Sequence, residues 1–119
     1  MVVVTWIECE VWSVKIHNIQ EMTGGWIVGN FEPSLFKNPH VEVAHHMHKK
    51  GYVGQKHTHK IGIELSYIIR GELIASEQHL ITGDIFIYYP NEISEVEFLQ
   101  DTDLLVVKWP SVPNDKYPV

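Results

Sequence analysis

The stretch Gly51–Gly71, GYVGQKHTHKIGIELSYIIRG, decides how this chain is read. Its fixed points are Gly51, His57, His59, Glu64 and Gly71. Two imidazoles and one carboxylate so close together form a mixed nitrogen and oxygen donor set, the kind that suits a divalent transition metal. His57 and His59 are two positions apart, and side chains alternate faces along a strand, so both rings project the same way. The step from His59 to Glu64 is odd and would reverse the facing on an unbroken strand. Gly62 lies between them and permits a bulge or tight turn that restores it.

This pattern resembles the first motif of the cupin superfamily: glycine, five residues, histidine, one residue, histidine, three or four residues, glutamate, six residues, glycine. Every fixed position is met, and the resemblance as a whole covers about residues 41–109. It implies a double-stranded β-helix, a jelly-roll barrel, with the site inside on the strands carrying His57, His59 and Glu64. The implied cofactor is one divalent transition metal, with Fe, Mn, Ni, Zn and Cu all chemically reasonable for this donor set. Small cupins often pair as homodimers, which the resemblance extends to this chain.

The second cupin motif is degenerate. In Gly83–Phe98, GDIFIYYPNEISEVEF, Gly83, Asp84 and Pro90 match, but Asn91 stands where glycine would be and Ser94 occupies the histidine position. The fourth ligand of the family is therefore missing. Glu92 shares strand parity with Ser94 and is the first substitute, while Ser94 offers a hydroxyl that can orient a metal-bound water. Glu95 has the opposite parity.

The rest of the chain reads as strand and turn. No window shows a 3.6-residue apolar period with caps, so the expected class is all-β. One domain spans 1–119: N-terminal strands and a loop over 1–40, a core barrel over 41–109, and an extended tail over 110–119. Residues 2–7 and 10–19 read as a strand arm that lies on the barrel or on a partner chain. A short strand follows from Trp26, then the proline-bearing loop 30–40, with one helical turn expected after Pro33 and a docked position suggested by Leu35 and Phe36. Over Val41–Lys49, Glu42, Ala44, His46 and His48 share one face, which makes His46 and His48 candidates for the cavity wall. Ser66 shares the facing of Glu64, and Tyr67 and Tyr88 are candidate walls for a ligand. The tail WPSVPNDKYPV, with three prolines, is expected to run over the surface.

Composition narrows the function. The net charge is −6 and Arg70 is the one arginine, so nucleic acid is not an expected partner. Cys9 is the one cysteine, so no internal disulfide forms, and with no long apolar run the reading is a cytoplasmic protein. The expected function is a small metal-binding cupin that binds, and can transform, a polar small molecule such as a carbohydrate. Two alternatives stand beside it. One is a metal-free sugar-nucleotide isomerase or epimerase with a histidine as general base; the other is a non-catalytic binding or sensor module.

Overall fold

The computed structural model describes residues 13–119. The expected strand over 2–7, the beginning of the second arm strand and Cys9 lie outside them. Eleven strands occur among the described residues: β1 Trp26–Val28, β2 Glu42–His48, β3 His57–Thr58, β4 Ile63–Arg70, β5 Glu72–Ala75, β6 Gln78–Ile81, β7 Ile85–Tyr88, β8 Ile93–Ser94, β9 Val96–Phe98, β10 Thr102–Trp109 and β11 Tyr117–Pro118. They form a five-stranded sheet, β1-β2-β10-β4-β7, and two three-stranded sheets, β11-β3-β8 and β6-β5-β9. All strand pairs are antiparallel. The all-β jelly-roll expectation holds.

Alternation along the long strands builds the interior in layers. Leu104 lies opposite His46 and Ile68, Val106 opposite Ala44 and Ser66, and Lys108 opposite Glu42 and Glu64. Phe86 and Tyr88 on β7 extend the last two rows past Ser66 and Glu64. Ile68, Leu104, Val106 and Ala44 join Leu73, Ala75 and Phe98 from the smaller β6-β5-β9 sheet in a buried apolar cluster. The row Glu42, Lys108, Glu64 is polar throughout. One end of the barrel is thus filled by hydrocarbon, and the other by groups that need partners.

Gly71 is demanded by sterics. It has φ +131°, and a Cβ there would fall 2.2 Å from Thr102 Oγ1. Its absence lets the β4–β5 turn cross closely beneath the start of β10.

The structure departs from the sequence reading in three places outside the barrel. Residues 14–18 form no strand; instead Asn18 accepts the Gln20 N–H at 2.9 Å and Glu21 accepts the Asn18 N–H at 2.8 Å, capping a 3-10 turn at Ile19–Glu21. Local side-chain bonds of this kind compete with strand pairing. No helical turn follows Pro33, because Ser34 Oγ accepts the Gly29 N–H at 3.1 Å and holds the loop irregular. That loop docks through Asn38, 6% exposed, while Leu35 and Phe36 face solvent. The tail is also built in: β11 pairs with β3, and Ser111 and Asp115 are buried.

His46 stands edge-on to Trp26, with ring centroids 5.1 Å apart. Burial, with help from the neighbouring His48, lowers its pKa from 6.5 to about 4. The unfolded chain takes up this proton below about pH 6.5, whereas the folded chain resists until about pH 4. The contribution is therefore complete above pH 6.5 and drains away as pH falls to 4. A shift of this size is on the order of 3 kcal/mol. In chelator, denaturant melts of wild type against His46→Phe at pH 7 and pH 4 should show the variant losing less stability by roughly that amount. Equal losses would remove His46 as the source.

Candidate metal centre

Strand β3 and the loop after it supply the donors. His57 Nδ1 lies 2.7 Å from the Gln55 carbonyl oxygen, which can only accept, so Nδ1 carries the proton and Nε2 keeps its lone pair. A ring held this way is oriented for metal binding. His59, 4% exposed, packs edge-on to it with centroids 5.0 Å apart. Glu64 comes from the start of β4. One ligand atom from each of the three lies within 4.8 Å of the others. His57, His59 and Glu64 are the residues that would hold such an ion.

The electrostatics fit a cation. The His59 ring and the Glu64 carboxylate make no hydrogen bond to any described residue, although both are largely withdrawn from water. An unpartnered buried polar group costs about 1–3 kcal/mol, which coordination would offset. Burial, aided by the Lys108 charge, lowers the His59 pKa to about 4, so the ring is neutral and available at ordinary pH. Burial raises the Glu64 carboxyl above the usual carboxylate range, against the pull of Lys108 and His57. Protonation of Glu64 on acidification would compete with a metal ion and weaken its binding.

The facing of Glu64 depends on the tail. Asp115 reaches under the loop between His59 and β4, its Oδ1 accepting the Lys60 N–H at 2.9 Å and its Oδ2 the Gly62 N–H at 2.8 Å, with the Ile61 N–H shared between them. Burial works to raise the Asp115 carboxyl, yet the Gly62, Lys60 and Ile61 N–H groups outweigh it and hold it below the usual range. The chain bends at residues 60–61 just before Gly62, and the missing Cβ of Gly62 leaves room for the Lys108 stem, which would lie 3.2 Å from it. Lys60 Nζ sits 4.2 Å from the centre of the Tyr117 ring, and the Val119 N–H donates to the Lys56 carbonyl at 3.1 Å. The tail is fastened along the whole ligand segment.

The other candidate residues separate by position. Ser94 pairs with His57 across β3–β8, is 7% exposed, and lines the same cavity of about 170 Å³ as His57 and Glu64. His46, His48 and Ser66 line that cavity too. Glu92 does not: its carboxylate accepts the Tyr89 N–H at 2.7 Å and closes an exposed turn. Tyr67 is on the outer face of the sheet, where strand alternation puts it opposite in facing to Ser66. Tyr88 lines a neighbouring cleft, its hydroxyl 2.7 Å from Ser76 Oγ. The sequence reading missed Tyr52 and Phe98, which stack with His48 in the cavity wall. It also missed Lys108, whose parity with Leu104 and Val106 in an apolar strand was the available signal.

No family model and no curated protein sequence matches this chain. Solved structures do. A conserved double-stranded β-helix protein of Klebsiella pneumoniae superposes with TM-score 0.62 at 20% identity, covering 86% of this chain and 88% of that one. KdgF from a Halomonas species gives 0.60 at 18% identity, covering 65% and 74%. A cupin superfamily protein of Desulfitobacterium hafniense gives 0.55 at 16%, covering 61% and 70%. The chain has the cupin-type double-stranded β-helix fold. His57 of the first motif falls on β3 and Glu64 on β4, with His59 between them and Ser94 on β8 in place of the second-motif histidine. No helix among its described residues is long and apolar enough to cross a membrane.

Because Asp115 touches the ligand loop rather than the donors, its loss should loosen them without unfolding the barrel. In Asp115→Asn an amide NH2 faces backbone N–H donors, and metal affinity in a competition titration should fall about 10- to 100-fold. Amide exchange at residues 60–62 should quicken in parallel. Unchanged affinity would show that the loop holds its shape without this carboxylate.

Proposed function

We propose that this cupin holds one divalent transition metal on His57, His59 and Glu64 and binds a polar, oxygen-rich small molecule of carbohydrate type beside it. The observation that carries the reading is the convergence of a tautomer-fixed imidazole with a buried ring and a half-buried carboxylate that have no hydrogen-bond partner among the described residues. Three protein donors leave coordination positions for water or ligand. When bound, such an ion supplies Lewis acidity, or redox chemistry, toward a ligand oxygen.

The chain's own residues shape what enters. Ser94 and Ser66 offer hydroxyls on opposite walls of the cavity, and Tyr52, His48 and Phe98 give it a flat aromatic side. Aromatic faces and scattered hydroxyls suit a ring that carries both C–H and O–H groups. A cavity of about 170 Å³ is below the roughly 300–1,000 Å³ typical for drug-sized ligands, which favours a molecule no larger than a single sugar.

The same reading includes a homodimer. Supporting it is the outer face of the five-stranded sheet, where Met47, Tyr67, Ile69, Ile85 and Ile87 are exposed together. An apolar sheet face of this kind suits a second copy meeting it about a two-fold axis.

Elemental analysis of untagged protein should find close to one transition metal per chain, with His57→Ala, His59→Ala and Glu64→Gln folded but depleted. A folded wild type that retains no offered metal overturns the reading. For the dimer, sedimentation of Ile85→Lys should show a monomer where wild type is dimeric; a dimer that survives the charge places the interface elsewhere.

A further inference from the structure

Lys116 is placed unlike any other cation of the described chain. The residues on either side of it are fixed to the ligand segment, Asp115 through the N–H groups of residues 60–62 and Tyr117 through its pairing with Thr58 and its contact with Lys60. Lys116 between them lines two cavities at once. One is the 170 Å³ cavity walled by His57, Glu64 and Ser94. The other, about 370 Å³, is walled by Trp26, Phe31 and the buried Glu42 and Lys108.

Most of the other cations near the barrel have a partner. Lys108 pairs with Glu42 at 3.7 Å, Lys56 with Glu95 at 3.5 Å and Arg70 with Asp103 at 3.0 Å, while Lys60 lies over Tyr117. Lys116 has no carboxylate within ion-pair distance among the described residues, yet its charge bears on His46, His59 and Glu64. With metal-bound histidines neutral and the Glu42–Lys108 pair cancelling, a divalent ion and Lys116 set against Glu64 and Asp115 leave the site with a surplus of about one positive charge. That surplus stands out in a chain whose net charge is −6. A neutral polyol would leave it uncompensated, whereas an anion would complete it.

We propose that Lys116 is the anion-recognising residue of this site, and that the ligand held beside His57, His59 and Glu64 is a small sugar acid or hydroxyacid whose carboxylate pairs with the Lys116 ammonium. This rests on the metal reading given above and narrows its ligand class. The larger cavity, which the same side chain also lines, has Trp26 and Phe31 in its wall.

The test pairs each acid with its neutral counterpart: D-galacturonate with D-galactose, and glycolate with ethylene glycol. Protein is first loaded and its metal content measured, then each probe is titrated by calorimetry into wild type, Lys116→Met and Lys116→Arg. At least one acid should bind wild type while its neutral counterpart binds at least 10-fold more weakly. Lys116→Met should weaken the acid at least 10-fold at unchanged metal content, and Lys116→Arg should stay within about 3-fold of wild type. The proposal is overturned if no acid binds metal-loaded wild type, if the neutral molecule binds as well as the acid, or if Lys116→Met binds like wild type. A wild type that takes up no metal fails the underlying reading at the loading step, separately from the role of Lys116, and the proposal falls with it.

Discussion

The carboxylate of Asp115, set against three successive backbone N–H groups, is the contact on which the site depends. A segment carrying two donors on one side and a third on the other needs its connecting loop held in one shape, since a one-residue change of facing would point Glu64 away from the histidines. Backbone N–H groups in a loop outside a sheet have no ladder partners, and a buried one is costly. One acidic side chain answers three of them here. Loop shape and donor convergence thereby become a single requirement.

The barrel around it divides its labour by layer. Ile68, Leu104 and Val106 belong to the apolar cluster, while one row further along the same strands Glu42, Lys108 and Glu64 stand side by side. A lysine buried between two carboxylates lowers the cost of keeping both near one another. Ser111 donates to Glu42 at 2.8 Å, and the Asn30 N–H donates to Ser111, so the row is tied to the loop beyond β1. Hydrocarbon gives the fold its stability, and the polar row gives it a place for chemistry.

Much of this was legible in the sequence, for a physical reason. The donor triad is local, so its spacing encodes its geometry, and period-two alternation in residues 41–48 put His46 and His48 on one face, which in the structure lines the cavity. Glu92 misled because parity says which way a strand residue points but not whether the strand has begun, and a turn held Glu92 back. Tyr67 misled because an aromatic residue suggests a wall until its facing is counted against Ser66. The tail was opaque: Asp115 is 53 positions from Gly62, its bonds go to backbone groups, and a sequence names no side-chain type for such a partner. Proline content suggested a loose surface strap, but Pro118 sits in β11 itself, on the short edge of a three-stranded sheet, where a missing donor is tolerated.

The separation between Asp115 and the loop it braces has a consequence for how the protein matures. During synthesis both histidines and Glu64 emerge long before residue 115 is added, so the nascent chain displays the donors with their scaffold still incomplete. Closing so long a span is entropically demanding and belongs to the late stages of folding. Any capture of an ion would thereby wait on the synthesis of residue 115, and a product ending before Asp115 would be a poor competitor for scarce cellular metal.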